Sequence, residues 1–335
     1  MKKPTLKDVA RESGVSAITV SRALRTPDAV SEKLRARIDV AIEKLGYVAD
    51  AAASTLASNR SNIIGVLVPS FSNNVFSDVL AGASRVLEGT KYSLQIGNTG
   101  YSALTEEALI PRFLTLKPAG LIVAGIDQTE KSRQMLAQAN CPVVQVMDTT
   151  PDPIDVIVGF SNEQASFEAV EHMISQGFRR VAFLGTRMDP RTQQRLAGFR
   201  AALEKHGLYD EKLLITTPQK SNVAIGRHLL ATLLETHPEC DAVFCNNDDV
   251  AVGAALECQR RHIRVPQQLG ICGFNDLGTT SQMYPEITSV YTPRTEVGAR
   301  AMQYILDRNA DQPPPENRTI DLGFDLRIRA STQRH

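Results

Sequence analysis

Apolar and polar positions alternate with two different rhythms along this chain, and the change falls near residue 60. Up to Gly46 the apolar residues recur three and four positions apart, the spacing of one helix face. Leu6, Val9 and Ala10 make the first such face, in a helix that Thr5 can cap with Asp8 at the capping-box position. Gly14 permits a left-handed turn, and Ser16 can cap a second helix. A third helix starts at Ser31, carries Leu34, Ile38, Ala41, Ile42 and Leu45 on one stripe, and ends at Gly46. After the polar stretch SNRSN the rhythm changes to short unbroken apolar runs: IIGVLVP, YSLQIGN, AGLIVAG, PVVQVMD, RVAFLGT, LLITTP, AVFCNND and GICGFND. Runs of this length, separated by amphipathic segments, predict parallel strands covered by helices on both faces. They fall into two groups of about four, which predicts an α/β body of two doubly wound subdomains with a cleft between them. PPP at 313–315 predicts a late loop.

Composition changes this picture little. The 335 residues, 42% hydrophobic and 22% charged, are those of a soluble globular protein with two or three domains. No apolar run reaches the ~18 residues of a membrane span. MKKPTLKDV lacks the apolar stretch of a secretory signal, so the expected location is cytoplasmic. Five cysteines, an odd count, argue against a disulfide framework. Cys240, Cys245, Cys258 and His262 have roughly zinc-finger spacing. However, Cys245 sits inside an apolar run, and Cys258 and His262 continue an alanine stripe at helical spacing, so buried thiols are expected rather than a metal site.

Charge adds more. The net charge of zero conceals eleven Lys and Arg against seven Asp and Glu through Arg60, balanced by an acidic remainder. A basic head on an acidic body suits a polyanionic partner. In the second helix Ala17, Ile18, Ser21, Arg22 and Arg25 share a face, while Val20, Ala23 and Leu24 can face the other helices. Its start has Ser16 and Thr19 but no acid, which leaves backbone N–H groups and the positive dipole end for a phosphate. This is the logic of a helix-turn-helix, whose second helix enters the major groove of DNA. The competing reading is a generic three-helix bundle with Ile18 in its core. The body carries no GxGxxG after its first strand, no GKS or GKT and no GxSxG, so neither a nucleotide cofactor nor an enzymatic activity is expected.

The runs LKDVARESGVSAITVSRAL and VSEKLRARIDVAIEKLGY resemble the head of the lactose/galactose-repressor family of bacterial regulators. GVLVPSFSNNVF, DVIVGFSNEQA, RLAGF, FCNNDDVAVGAALECQ and TSVYTPR extend the resemblance over essentially the whole chain. Within the family, MDPRT, CNNDDVAVGAALECQR, TPR and DLGFDL are most similar to gluconate repressors. The resemblance implies a DNA-binding head over 1–46, a hinge helix and linker over 47–61, and a periplasmic-binding-protein-like body over 62–335. In that body, subdomain one covers about 62–160 plus 291–322, and subdomain two about 161–290 plus 323–335. It implies that Ala17, Ile18 and Arg22 read bases, with Thr5, Ser16, Thr19, Ser21, Ser31 and Tyr47 placed for DNA-backbone contacts. The Arg22 fork suits guanine O6 and N7, whereas Ala17 and Ile18 can only touch thymine methyls or exclude wrong bases. In the hinge, ADAAASTLAS, Leu56 would wedge into a central base step and Ala53 would allow two copies to approach. Ala49 and Asp50 stand where the family usually has proline and asparagine.

In doubly wound sheets ligands bind beyond the carboxyl ends of the strands. Asp148, Arg191, Arg195, Asn247, Asp248 and Asn275 follow such ends here, and family alignment adds Phe76. Carboxylates and amides suit sugar hydroxyls, and arginines suit a carboxylate. Asp248 could equally cap a helix, Arg195 could be paired internally with Asp148 or Asp248, and Asn275 replaces the family's usual aspartate. The expected protein is a homodimeric repressor that binds pseudo-palindromic double-stranded DNA under the control of a sugar-acid effector, gluconate or a related aldonate, with a neutral or phosphorylated sugar as the alternative. A transport solute-binding protein and a sugar-modifying enzyme are the rival classes.

Overall fold

The computed structural model describes residues 3–25, 29–48 and 60–334. They form two compact units, a helical head and an α/β body that begins at Ile63.

The head consists of α1 (Leu6–Ser13), α2 (Ala17–Arg25) and α3 (Glu32–Leu45). Val9, Ala10, Val20, Ala23, Ile38 and Ala41 are buried between them, with Leu6, Leu34, Ile42, Leu45 and Tyr47 packed around. The Asp8 carboxylate accepts from the Thr5 backbone N–H at 2.9 Å and its hydroxyl at 2.7 Å. Gly14 has φ 67°, and its N–H bonds back to the end of α1. The turn is fixed from α3, where Arg37 donates to the Ser13 carbonyl at 2.7 Å. Ser16 caps α2 by accepting from the Thr19 N–H at 3.1 Å. One expectation fails: Leu24 does not pack inward and is 38% exposed. With Val20 and Ala23 already filling the contact, its long side chain has no remaining inner position.

The body holds two six-stranded sheets. Lobe one contains β1 (Ile63–Val68), β2 (Ser93–Asn98), β3 (Gly120–Ala124), β4 (Val143–Val146), β5 (Val156–Gly159) and β11 (Thr319–Asp321), in the order β11-β5-β4-β3-β1-β2. Lobe two contains β6 (Val181–Thr186), β7 (Leu214–Thr217), β8 (Ala242–Cys245), β9 (Gly270–Asn275), β10 (Thr288–Tyr291) and β12 (Asp325–Arg327), in the order β12-β10-β9-β8-β6-β7. All pairs are parallel except β10 with β12. Each sheet therefore exceeds the expected four strands. Strands β5 and β10 are only four residues long, and the three-residue β11 and β12 have no continuous apolar run to announce them.

Helices cover both sheets: α4 (Asn74–Leu87), α5 (Ala103–Thr115), α6 (Glu130–Ala137) and α11 (Arg294–Asn309) on lobe one, and α7 (Asn162–Ser175), α8 (Pro190–Lys205), α9 (Val223–Thr236) and α10 (Asp248–Arg260) on lobe two. Two helix pairs approach closely through glycines. A Cβ on Gly82 would stand 1.9 Å from the Thr295 carbonyl oxygen of α11, and one on Gly198 2.0 Å from that of Glu163 of α7. Parallel strands buried on both faces explain the unbroken apolar runs. Cys245 and Cys258 are part of that packing, in the cluster with Val243, Val250 and Ile271.

Candidate functional site

In the head, the α2 face singled out by the sequence is open to solvent. Ile18 is 72% exposed, so the bundle-core reading of this residue is wrong. Arg22, one turn further on, is exposed as well. Ala17, Thr19 and Ser21 are half-buried along the same helix, and Thr5, Ser16 and Ser31 are exposed at helix starts. Tyr47 is half-buried against the head core. The Ser16 hydroxyl is already engaged with Thr19, both as a cap and through a 2.8 Å contact with its hydroxyl. This face thus combines an exposed apolar side chain, an exposed arginine and a helix start with no acid in its first turn. Ala53 and Leu56 lie outside the described residues.

In the body, the carboxyl ends of the two sheets enclose a cleft with about 620 Å³ of unoccupied space, part of it open to solvent. Phe76 from α4 forms one wall and meets Tyr101 edge-on at 6.3 Å. The opposite wall is the start of α8. Asp189 caps this helix, accepting from the Thr192 N–H at 3.0 Å, and Pro190 occupies its first turn. That geometry carries Arg191 and Arg195 into the cleft, both buried.

The two arginines differ in their partners. Arg195 donates from Nε to Asn162 at 3.0 Å and from Nη1 to the Asn246 carbonyl at 2.6 Å, and stacks 3.8 Å from the Phe274 ring centroid. No ion pair joins it to Asp148 or Asp248 among the described residues, and burial lowers its pKa to about 10. Arg191 makes one long hydrogen bond, 3.4 Å, from Nη2 to Asp189, its guanidinium lies 5.7 Å from the Phe76 ring centroid and 6.0 Å from that of Tyr101, and its Nη1 is buried with no hydrogen-bond partner. Burial would raise Asp189, but Arg191 and the Thr192 N–H outweigh it and keep the carboxyl low.

Asn275 also lines the cleft, at φ 105°, and its Oδ1 is buried without a partner. A non-glycine residue in this region is strained, as residues at ligand sites often are. Asn247 lines the cleft and caps α10, accepting from the Val250 N–H at 3.2 Å. Two expectations are corrected here. Asp248 is neither the cap nor a lining residue. Its carboxylate is fully buried, accepting from the Leu277 N–H at 2.7 Å and the Ser289 hydroxyl at 2.6 Å, and burial pushes it up to about 7. Helical geometry turns it under α10 and brings Asp249 to the cleft instead. Asp148 is also absent from the lining. It lies buried behind it, taking hydrogen bonds from the Thr149 N–H and from Gln194, and burial pushes it up to about 6.

Sequence reasoning missed Tyr101, Arg187, Asn73 and Asp249 among the lining residues. Arg187 stacks 3.6 Å from the Tyr101 ring centroid, and Asn73 donates to the Tyr101 hydroxyl at 2.9 Å. Arg187 directly follows the FLGT run, four residues before Arg191, so strand-end reasoning applied at the first residue after the strand finds it. Tyr101 follows a glycine in a loop and gives no such signal. The lining carries three arginines against two aspartates and no other ionisable acid or base besides Tyr101.

Comparisons with known proteins agree with this layout. The profile described as bacterial regulatory proteins, lacI family, matches residues 5–50, and that of a periplasmic binding protein-like domain matches residues 170–332. The chain is 42% identical over 330 residues to the HTH-type transcriptional regulator GntR of Pseudomonas aeruginosa, covering 98% of this chain and 96% of that one. It is 36% identical over 326 residues to the HTH-type transcriptional regulator GntR of Escherichia coli K12, covering 97% of each. The crystal structure of a LacI-family transcriptional regulator from Silicibacter pomeroyi superposes with TM-score 0.91 at 36% identity, covering 99% of this chain and all of that one. With its exposed recognition face and its polar two-lobed cleft, the chain belongs to the LacI family of DNA-binding transcriptional repressors.

Proposed function

We propose that the cleft takes a sugar acid, gluconate or a related aldonate, and that its binding changes the affinity of the head for operator DNA. The observation that carries this reading is Arg191, a cation lining the cleft whose Nη1 is buried with no hydrogen-bond partner. A charged donor left unpaired in a buried site is costly, and a carboxylate is the group that best answers it. The N-terminus of α8 adds its own positive end, with no acid in its first turn. Asn275 Oδ1 leaves an acceptor for a hydroxyl, and Phe76 offers a carbon chain an apolar wall. The similarity to regulators named GntR supports the same choice.

On this reading Ala17, Ile18 and Arg22 face base edges of a pseudo-palindromic operator bound by a homodimer, while Thr5, Ser16, Thr19, Ser21, Ser31 and Tyr47 track its phosphates. Ala53 and Leu56 act at the centre of the operator. Arg195, held by Asn162 and Asn246, keeps the cleft in shape and offers its remaining N–H donors to hydroxyls. Gluconate should shift operator affinity at a concentration where glucose and sorbitol do not, measured by fluorescence anisotropy on labelled operator DNA. A response to glucose equal to that to gluconate, or to phosphorylated sugars far above both, would assign the cleft to another ligand.

A further inference from the structure

Beside the main cleft, a side pocket brings two carboxylates of lobe one against the helix end of lobe two. Glu106 from α5 and Asp127 from the loop after β3 line it together with Asp189 and Arg191 from the start of α8. Arg191 and Tyr101 border both this pocket and the main cleft. Gly125 makes the arrangement possible. Its φ is 86°, and a Cβ there would stand 2.5 Å from Asp127 Oδ1 and 2.9 Å from Arg191 Nη1. The two charged atoms thus flank one point in space. Even so, the ion pair recorded for Arg191 among the described residues is with Asp189 alone.

We infer that Asp127 and Glu106 determine effector specificity: they hold negative charge against the Arg191 guanidinium, and the effector's carboxylate binds in competition with that charge. This rests on the sugar-acid reading of the cleft. The Arg191 Nη1 is near enough to Asp127 to feel its charge, yet keeps its hydrogen-bonding capacity. An anionic ligand that reaches Nη1 enters the field of Asp127 and Glu106, whereas a neutral polyol does not respond to it. Because these carboxylates belong to lobe one and the arginine to lobe two, the same charges report on how closely the lobes approach.

Glu106 makes the competition depend on pH. Burial, with Asp127 beside it, pushes its carboxyl up to about 7, and Arg191 opposes the shift. The groups facing it are Asp127 and Gln128 from the loop after β3, Asp189 and Arg191 from α8, and Tyr101 from the loop before α5. Glu107, its neighbour on α5, is engaged elsewhere, with Thr129 and Lys131. As pH rises through neutrality Glu106 gains its charge, and an aldonate, ionised throughout, should bind less tightly. Asp148 titrates in the same range, so a Glu106 variant is needed to separate the two.

The test is calorimetric titration of the full chain with gluconate and with sorbitol at pH 6 and pH 8, for wild type, Asp127→Asn and Glu106→Gln. Wild type should lose roughly 3- to 10-fold in gluconate affinity between pH 6 and pH 8. Asp127→Asn should bind gluconate about 5- to 50-fold more tightly than wild type at pH 8, with sorbitol affinity within about twofold. Glu106→Gln should remove at least about half of the pH-dependent loss. Gluconate affinity equal to or weaker than wild type in Asp127→Asn, with sorbitol binding retained, overturns the inference. If Asp127→Asn does not fold, an unchanged pH dependence in Glu106→Gln overturns it. Wild-type protein that binds no sugar acid at either pH overturns this inference and the reading beneath it.

Discussion

Helices α2 and α8 begin alike and end up in opposite surroundings. Each has a polar side chain capping its start, Ser16 and Asp189, and neither has an acid in its first turn. Helix α2 then holds Ile18 and Arg22 in water, whereas α8 buries Arg191 and Arg195 in the cleft of the body. An exposed arginine contributes little to folding and can be judged by binding alone. A buried arginine is part of the packing, and its removal mixes stability with function.

Arg195→Ala should produce the largest effect. It strips the donors from Asn162 Oδ1 and the Asn246 carbonyl and leaves Phe274 without its stacking partner. A loss of about 3–5 kcal/mol in body stability is expected from a buried charged network broken on one side. Denaturant unfolding measures it. A loss within ~0.5 kcal/mol, typical of surface sites, would place Arg195 outside the framework.

Arg22→Ala sharpens the other half of the comparison. It should cost roughly 1–3 kcal/mol at the operator while leaving non-specific DNA binding and head stability close to wild type. Equal losses on operator and scrambled DNA at one salt concentration would make Arg22 a phosphate contact.

The contrast between the units also sets how much of each was legible in the sequence. The head was readable because its signals are local: Thr5 with Asp8, Gly14, Ser16 and Gly46 each act within a turn of themselves. Only Leu24 escaped, since a residue at the edge of an apolar stripe is decided by how much room its neighbours leave. The long strands of the body were readable from their apolar runs. The strands β11 and β12 were not, because three residues without a continuous apolar run leave no pattern to read. In the cleft, strand-end reasoning located the right turns and missed by one residue where a helix begins. Asp248 and Asp249 differ by one helical step, which decides between the core and the cleft. Tyr101 had no local signal and is brought to the site by lobe packing.

Acidity should separate the two units next. Glu106 and Asp248, at about 7, and Asp148, at about 6, all bind protons more tightly in the folded body than in an unfolded chain. The body should therefore gain stability as pH falls from 8 towards 5.5, by up to about 5 kcal/mol for the three groups together. The opposite shift is recorded for Asp8 in the head, whose carboxyl is held low by Thr5 and Arg11 and stays ionised across this window. Thermal melts of the full chain at both pH values, with the two transitions followed separately, provide the check. A body transition that falls on acidification in this range would show that the carboxyls are not protonated as the geometry requires.

Gly14→Ala should have a smaller effect, confined to the head. At φ 67° an L side chain is strained, and its Cβ would stand 3.0 Å from Arg37 Nη2. About 1 kcal/mol of head stability should be lost, with effector affinity unchanged. A change in effector affinity would contradict the separation of roles.

The central claim is that the partnerless Arg191 donor selects an acid over a neutral sugar. Its most direct test is calorimetric titration of wild type and Arg191→Gln with gluconate and sorbitol, which differ at the acid carbon. Wild type should prefer gluconate on the order of tenfold to a hundredfold, the equivalent of one charge-assisted contact, and Arg191→Gln should lose most of that preference while its sorbitol affinity stays near wild type. Equal affinity for the two ligands in wild type, or a gluconate preference that survives in Arg191→Gln, would contradict the account.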